Sequence, residues 1–276
     1  MPLSTIAERN QTVALDRAAA AGFGRFMSLP GNINRLPIAH DRERARDALS
    51  ALGLKTGVLA DLIAGAAGSS FYLSDLLRRD GDWLLEVADL APEKVRRTLL
   101  DETKSVPDAG LASELRQLKR RVALYAGLAD LGGVWALEDV TGLLTDFASA
   151  ATDRALKAAV ANEIARKKLP GQSVEDIEVA GGLSVLAMGK MGAGELNYSS
   201  DIDLICLYDE TRFDPDDYGE ARASFVRSVR KMTATLSERT ADGYVFRTDL
   251  RLRPDASVTP VAISMEAAER YYEAFG

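Results

Sequence analysis

The sequence predicts an α+β protein, with an all-helical domain over residues 1–170, a linker over 171–182, and a small α/β domain over 183–276. Three observations carry this. Apolar residues recur at spacings of three and four through the first 170 residues, in a background rich in Ala, Leu, Arg and Glu, as amphipathic helices require. The composition shifts after Pro170-Gly171. Beyond that point short apolar runs bounded by Gly and Asp appear in the order strand, loop, strand, helix, strand.

In the helical half, Leu73, Leu76, Leu77, Leu84 and Leu85 form one stripe around Trp83. Leu111, Leu115, Leu118, Val122 and Tyr125 form a second, with Arg116, Lys119 and Arg120 on another face. The basic cluster 116–121 reads as a solvated helix face. A third run begins near Leu137 and passes through Leu143, Leu144, Phe147, Ala151, Leu156 and Val160 to Ile164. Breaks fall at Pro30-Gly31, Pro92, Pro107 to Gly110, Gly132-Gly133 and Pro170-Gly171. In the second half, Leu183 to Met188 and Ile202 to Tyr208 are apolar runs of strand length. Residues 218–240 return to helical spacing, with Phe225, Val229, Met232 and Leu236 on one stripe. Tyr244 to Leu252 alternates and predicts a third strand, and Met265 to Phe275 a last helix.

Composition excludes several chemistries. The net charge of −7 gives no general attraction to nucleic acid. No apolar run approaches the roughly 18 residues of a membrane span. Glu8, Arg9, Asp16 and Arg17 stand where a signal peptide needs an unbroken apolar stretch, so a cytoplasmic protein is expected. Cys206 is the only cysteine, so no internal disulfide can form, and it reads as buried strand filler. His40 is the only histidine and lies in a polar helix start. A Ser-His-Asp triad and a multi-histidine zinc site are therefore not expected. Any metal has to be held by carboxylates, which suit magnesium or manganese.

The chemistry concentrates in 188–204, Met-Gly-Lys-Met-Gly-Ala-Gly-Glu-Leu-Asn-Tyr-Ser-Ser-Asp-Ile-Asp-Leu. Gly189 ends a strand, and Gly192 and Gly194 allow backbone to approach a phosphate. Ser199 and Ser200 add donors beside the acids. Asp201 and Asp203 are spaced i, i+2 on a strand and point to one face. Two carboxylates so placed repel unless a cation lies between them. Asp249, on the alternating third run, supplies a third, and three such groups can hold two divalent ions for chemistry at phosphorus. The glycine spacing matches neither the dinucleotide fingerprint nor the G-x-x-x-x-G-K-[ST] phosphate loop. Asp249 has a simpler alternative, a structural pair with Arg247 or Arg251.

A hydrophobic-Gly turn followed about ten residues later by Asp-hydrophobic-Asp-hydrophobic resembles the polymerase-beta-like nucleotidyltransferase superfamily, which usually has Gly-Ser or Gly-Gly where this chain has Gly189-Lys190. Within it, Gly189 to Leu204 together with Asp249-Leu250-Arg251-Leu252-Arg253-Pro254 resembles the bifunctional glutamine synthetase adenylyltransferase/adenylyl-removing enzymes. Gly68 to Asp80, Trp83-Leu84-Leu85 and the stretch from Leu115 to Val140 are similar to that family's N-terminal helical region. The resemblance runs from about residue 45 and is weakest over the first 40.

The resemblance implies two tandem catalytic copies in the full family protein. A helical segment ahead of the domain, in a chain starting at Met1, resembles the N-terminal, AMP-removing copy, with its catalytic domain incomplete at the C-terminus. It implies metal binding by Asp201, Asp203 and Asp249, with two magnesium ions, and phosphate or nucleotide binding by Gly189, Lys190, Ser199, Ser200, Arg251 and Arg253. Lys190 has two equal readings, a phosphate contact or a solvated lysine. Alternation puts Arg251 and Arg253 on Asp249's face, where they either clamp an incoming phosphate or pair with the acids. Implied partners are glutamine synthetase, the PII signal protein, ATP or ADP, and phosphate, with neither nucleic acid nor membrane. The expected reaction is phosphorolysis of AMP from a glutamine synthetase tyrosine, giving ADP. AMP transfer from ATP and a non-catalytic regulatory module are the alternatives.

Overall fold

The computed structural model describes residues 28–275, so the reading of Glu8, Arg9, Asp16 and Arg17 falls outside the described residues. Helices dominate, with one small mixed sheet, which is the α+β class expected. The chain divides into two compact units, one of residues up to 98 with 120–140, the other of 99–119 with residues from 141 onward.

The first unit holds α1 (Leu29–Asn32), α2 (Arg42–Ala51), α3 (Val58–Ser69) and α4 (Phe71–Val87). It also takes parts of α5 (Pro92–Ser105), α6 (Leu111–Leu131) and α7 (Leu137–Ala165). Its stripes bury Leu62, Ile63, Leu77, Leu84 and Leu124 almost completely. Tyr125 sits between Trp83 and Trp135, with ring centroids 6.5 and 5.4 Å away in edge-on contacts. His40 is exposed.

The basic cluster of α6 is not the solvated face that its spacing predicts. In the first unit, Arg120 Nε lies 2.8 Å and Arg121 Nε 3.6 Å from the carboxylate of Asp80, which is 4% exposed. In the second unit, Arg116 is 5% exposed, and Lys119 Nζ stands 4.0 Å from the centroid of the Phe246 ring. Buried acceptors and aromatic faces far away in sequence draw these cations inward, which a helical wheel cannot register.

In the second unit, β1 (Leu183–Met188) runs antiparallel to β2 (Ile202–Tyr208), with Met188 opposite Asp203. Both strands match the apolar runs residue for residue. The other side of β2 is shared end to end by two short parallel strands. β3 (Thr248–Asp249) sets Asp249 opposite Asp203, and β4 (Ile263–Ser264) sets Ile263 opposite Leu207. The single turn α8 (Gly189–Gly192) follows β1, and a 3-10 helix over Val174–Gly182 precedes it. One sheet face packs on helices. Phe225, Val229, Met232 and Leu236 of α9 (Tyr218–Ser237) are fully buried, and Tyr208 stacks on Phe225 at 5.0 Å. α10 (Met265–Phe275) closes the described chain.

The third strand is shorter than its alternation predicts. Only Thr248 and Asp249 join the ladder. Before them, the amides of Val245 and Phe246 donate to the Leu236 carbonyl at 2.9 and 3.0 Å, so the end of α9 takes the bonds a strand would make. After them, Arg253 gathers the carbonyls of Leu250, Ala256 and Thr259 and folds the chain into a turn. β4 has no counterpart among the sequence expectations.

Candidate active site

The site is built where β1 turns into β2. Gly189 has φ +53°, and a Cβ there would stand 2.7 Å from Asp203 Oδ2, so the turn needs a residue without a side chain. The loop after α8 is pinned at two points. The Leu196 amide donates to Thr145 Oγ1 of α7 at 3.2 Å. Asn197 Oδ1 accepts from the Ser199 amide at 3.2 Å and from Ser200 Oγ at 2.6 Å, an Asx turn that fixes the chain just ahead of Asp201.

Asp203 on β2 and Asp249 on β3 are direct cross-strand neighbours. Adjacent strands lie about 4.8 Å apart, so both carboxylates rise from one face within reach of each other. Asp201, two residues before Asp203, opens toward the same face. Two arginines answer this charge. Arg247 pairs with Asp201, donates to the Ser199 carbonyl at 3.0 Å and reaches Tyr244 Oη at 3.3 Å. The Arg251 amide donates to Asp249 Oδ1 at 2.8 Å, and its Nε lies 3.0 and 2.9 Å from the two carboxylate oxygens. Those bonds from Arg251 hold the Asp249 carboxyl below the usual carboxylate range. Arg251 in turn is raised, first by its bond to Asp249 and also by the charges of Asp203 and Asp201, so one guanidinium feels all three acids. β3 is itself anchored, because the Thr248 amide donates to Ser237 Oγ at 3.2 Å.

The donor set suits a hard divalent cation, being carboxylate oxygens on one face of a sheet. The side chains as placed do not yet gather around one point. Among the described residues no three His, Cys, Asp or Glu side chains are close enough to hold a metal ion. Asp201 and Asp249 are turned onto Arg247 and Arg251, which supply the positive charge that three converging carboxylates demand.

The structure therefore assembles Gly189, Ser199, Ser200, Asp201, Asp203, Asp249 and Arg251 in one region. Lys190 is exposed on α8 beside Gly189. Arg253 stands apart, because β3 ends at Asp249 and alternation no longer fixes its direction; its guanidinium is spent on three loop carbonyls. Sequence reasoning paired Arg247 only with Asp249; it read Asn197 as a residue that caps or stabilises the loop, without a catalytic role, and the Asx turn is that contact. An Asn two residues before a Ser-Ser-Asp run is the Asx-turn signal behind that reading. Thr145 carries no such signal, being one helical threonine among many. Cys206, on the reverse face of β2, is 1% exposed, and burial pushes its thiol up to about 12.

The profile of glutamate-ammonia ligase adenylyltransferase matches residues 60–276. The chain belongs to this family. It is 44% identical over 233 residues to a Bradyrhizobium sp. strain BTAi1 protein named bifunctional glutamine synthetase adenylyltransferase/adenylyl-removing enzyme, covering 81% of this chain and 23% of the relative. Relatives of the same name from Rhodopseudomonas palustris strain CGA009 and Caulobacter vibrioides strain CB 15 are 43% and 42% identical. These matches cover 83% and 85% of this chain, and 24% of each relative. The chain thus spans about a quarter of the length of the family members it matches, and the matched stretch includes the whole acidic site.

Proposed function

We propose that this chain carries a nucleotidyl-transfer site of its family and removes AMP from an adenylylated tyrosine of glutamine synthetase by phosphorolysis. The observation that carries the reading is the register Asp203 opposite Asp249, with Asp201 two residues upstream and Gly189 opening the space beside Asp203. Asp201, Asp203 and Asp249 would hold magnesium, which when bound supplies Lewis-acid stabilisation of charge at phosphorus. An oxygen of inorganic phosphate attacks the adenylyl phosphorus, the bond from phosphorus to the tyrosine oxygen breaks, and ADP and the tyrosine hydroxyl result. Phosphate arrives already ionised and needs no strong base. Attack by a tyrosine hydroxyl would need a base, a task open to Asp249, so the direction is decided by the test below. Arg247 and Arg251, 52% and 85% exposed, are charges that an incoming phosphate can recruit from the acids. A regulatory PII partner and a cytoplasmic setting belong to this reading through the family resemblance alone. Among the described residues no helix is long and apolar enough to cross a membrane.

The test incubates the chain with adenylylated glutamine synthetase, magnesium and phosphate, and follows the modified tyrosine peptide by mass spectrometry. Loss of AMP with ADP appearing is expected, slowed by about 10²-fold or more in Asp203→Asn. Addition of AMP from ATP, with no phosphate-dependent loss, would reverse the assigned direction. No turnover either way from folded protein would leave the site without this reaction.

A further inference from the structure

A groove of about 1050 Å³ lies in the second unit, lined by none of the three acids. Its floor is the small-residue side of α7, including Ala155, Ala158, Ala159 and Ala165. One end is formed by the first turn of the 21-residue helix α6, where Gly110 to Ser113 line the space. Arg116, Lys231 and Thr235 stand in the wall, with Val174 and Ile177 among the apolar residues beside them.

The groove has a definite sign. Among the described residues Asp108 is its one acidic lining residue, and Arg154 already pairs with it. Among the described residues Lys231 enters no ion pair. The first turn of α6 adds the partial positive charge of a helix N-terminus. The second and independent observation is Arg116. Its side chain is 95% withdrawn from solvent, by its 5% exposure, and Nη2 donates to the Glu238 carbonyl at 2.9 Å. Among the described residues its Nε has no hydrogen-bond partner, and with almost no accessible surface it meets no ligand directly. What the side chain offers a ligand is its buried positive charge, whose cost an anion nearby lowers. Alanine side chains present a flat apolar surface to the rest of such a ligand.

Groove and acids are joined through the end of α9. Arg116 holds Glu238, Leu236 accepts the amides of Val245 and Phe246, and Ser237 Oγ accepts the amide of Thr248, next to Asp249.

We propose that this groove is a second binding site, for an oxyanion carried on a flat apolar body, and that its occupancy is felt at β3. The anion lies against Arg116, Lys231 and the first turn of α6, while the apolar body rests on α7. A phosphate monoester and a carboxylate share this chemistry.

The experiment titrates phenyl phosphate and, separately, benzoate into the isotope-labelled chain and follows backbone amide resonances. Saturable shifts at Gly110, Ser113 and Thr235 are expected at millimolar concentrations, with a smaller shift at Thr248. Saturation by one probe alone supports the site and assigns the anion; saturation by both supports it as general for oxyanions. Lys231→Gln should weaken binding by about tenfold. Because Arg116 also holds the end of α9, Arg116→Lys is the second variant, keeping the charge while losing the fork, and it should weaken binding in a protein that still folds. No saturation by either probe, affinity unchanged in Lys231→Gln, or shifts confined to 189–203 would overturn the site. Saturation without movement at Thr248 would overturn the link to β3. No activity is read, so the outcome is independent of the proposed reaction.

Discussion

At Gly189 two demands meet in one residue. The chain must turn with φ +53°, and the space a side chain would fill is held by Asp203 Oδ2 at 2.7 Å. The first demand costs an L-residue about 1–2 kcal/mol. The second forces the carboxylate of Asp203 to move, which a flexible side chain can do cheaply but only by leaving its place beside Asp249. Gly189→Ala is therefore expected to lose about 1–2 kcal/mol in urea unfolding. The rate of the proposed phosphorolysis should fall much further than stability, toward the level of Asp203→Asn. A variant with unchanged rate would mean that the position of Asp203 beside this turn is not what the reaction uses. The residue scale is also where the sequence was most readable. A glycine ending an apolar run, then Asp-x-Asp heading another, locates the turn and both acids without any long-range information. The partners of those acids were not readable in full, because Arg247 and Arg251 alternate on either side of Asp249 and only the sheet register decides which carboxylate each one meets.

Elements tell a different story, since an element's neighbours are set by contacts distant in sequence. β1 and β2 were legible to the residue because Gly and Asp bound their apolar runs. The run 244–252 alternates just as well, yet only two residues pair, because the end of α9 and the Arg253 hub compete for its backbone groups. The same blindness misplaced the α6 arginines on a solvated face. Asp80 lies at a break in the regular geometry of α4, with φ −127° and ψ 17°, and its carboxylate is turned into the first unit toward Arg120 and Arg121. Removing one partner of a buried ion pair strands the remaining charge. Asp80→Ala is expected to cost about 3–5 kcal/mol in chemical denaturation. A loss below about 1 kcal/mol would place the pair among solvated ones. Arg120→Ala should cost less than Asp80→Ala, because Arg121 remains to answer the acid.

Stability as a function of pH belongs to the whole molecule, and one half-buried lysine gives it a predictable slope. Lys119 has its ammonium against Phe246, and burial pushes it down to about 7 from an ordinary 10.5. The direction of the effect follows from proton counting. Below about pH 7 Lys119 is protonated in both folded and unfolded chains, and the cost of burying the charge is fully present. Between about 7 and 10.5 the unfolded chain binds the proton that the folded chain has released, so unfolding free energy rises with pH. Above that window the cost is gone. The slope cannot exceed about 1.4 kcal/mol per pH unit, and partial exposure of Lys119 reduces it. Lys119→Met keeps most of the side-chain volume against Phe246 and removes the titration, while every other ionisable group stays common to both proteins. Urea unfolding of the two proteins from pH 6 to 9 should therefore show wild type gaining on Lys119→Met only above about pH 7. The attraction of the ammonium to the Phe246 ring sets a constant offset below that point and leaves the direction of the slope untouched. A difference that stays flat across the range would mean that Lys119 keeps its proton throughout, held by the aromatic face strongly enough to offset its burial.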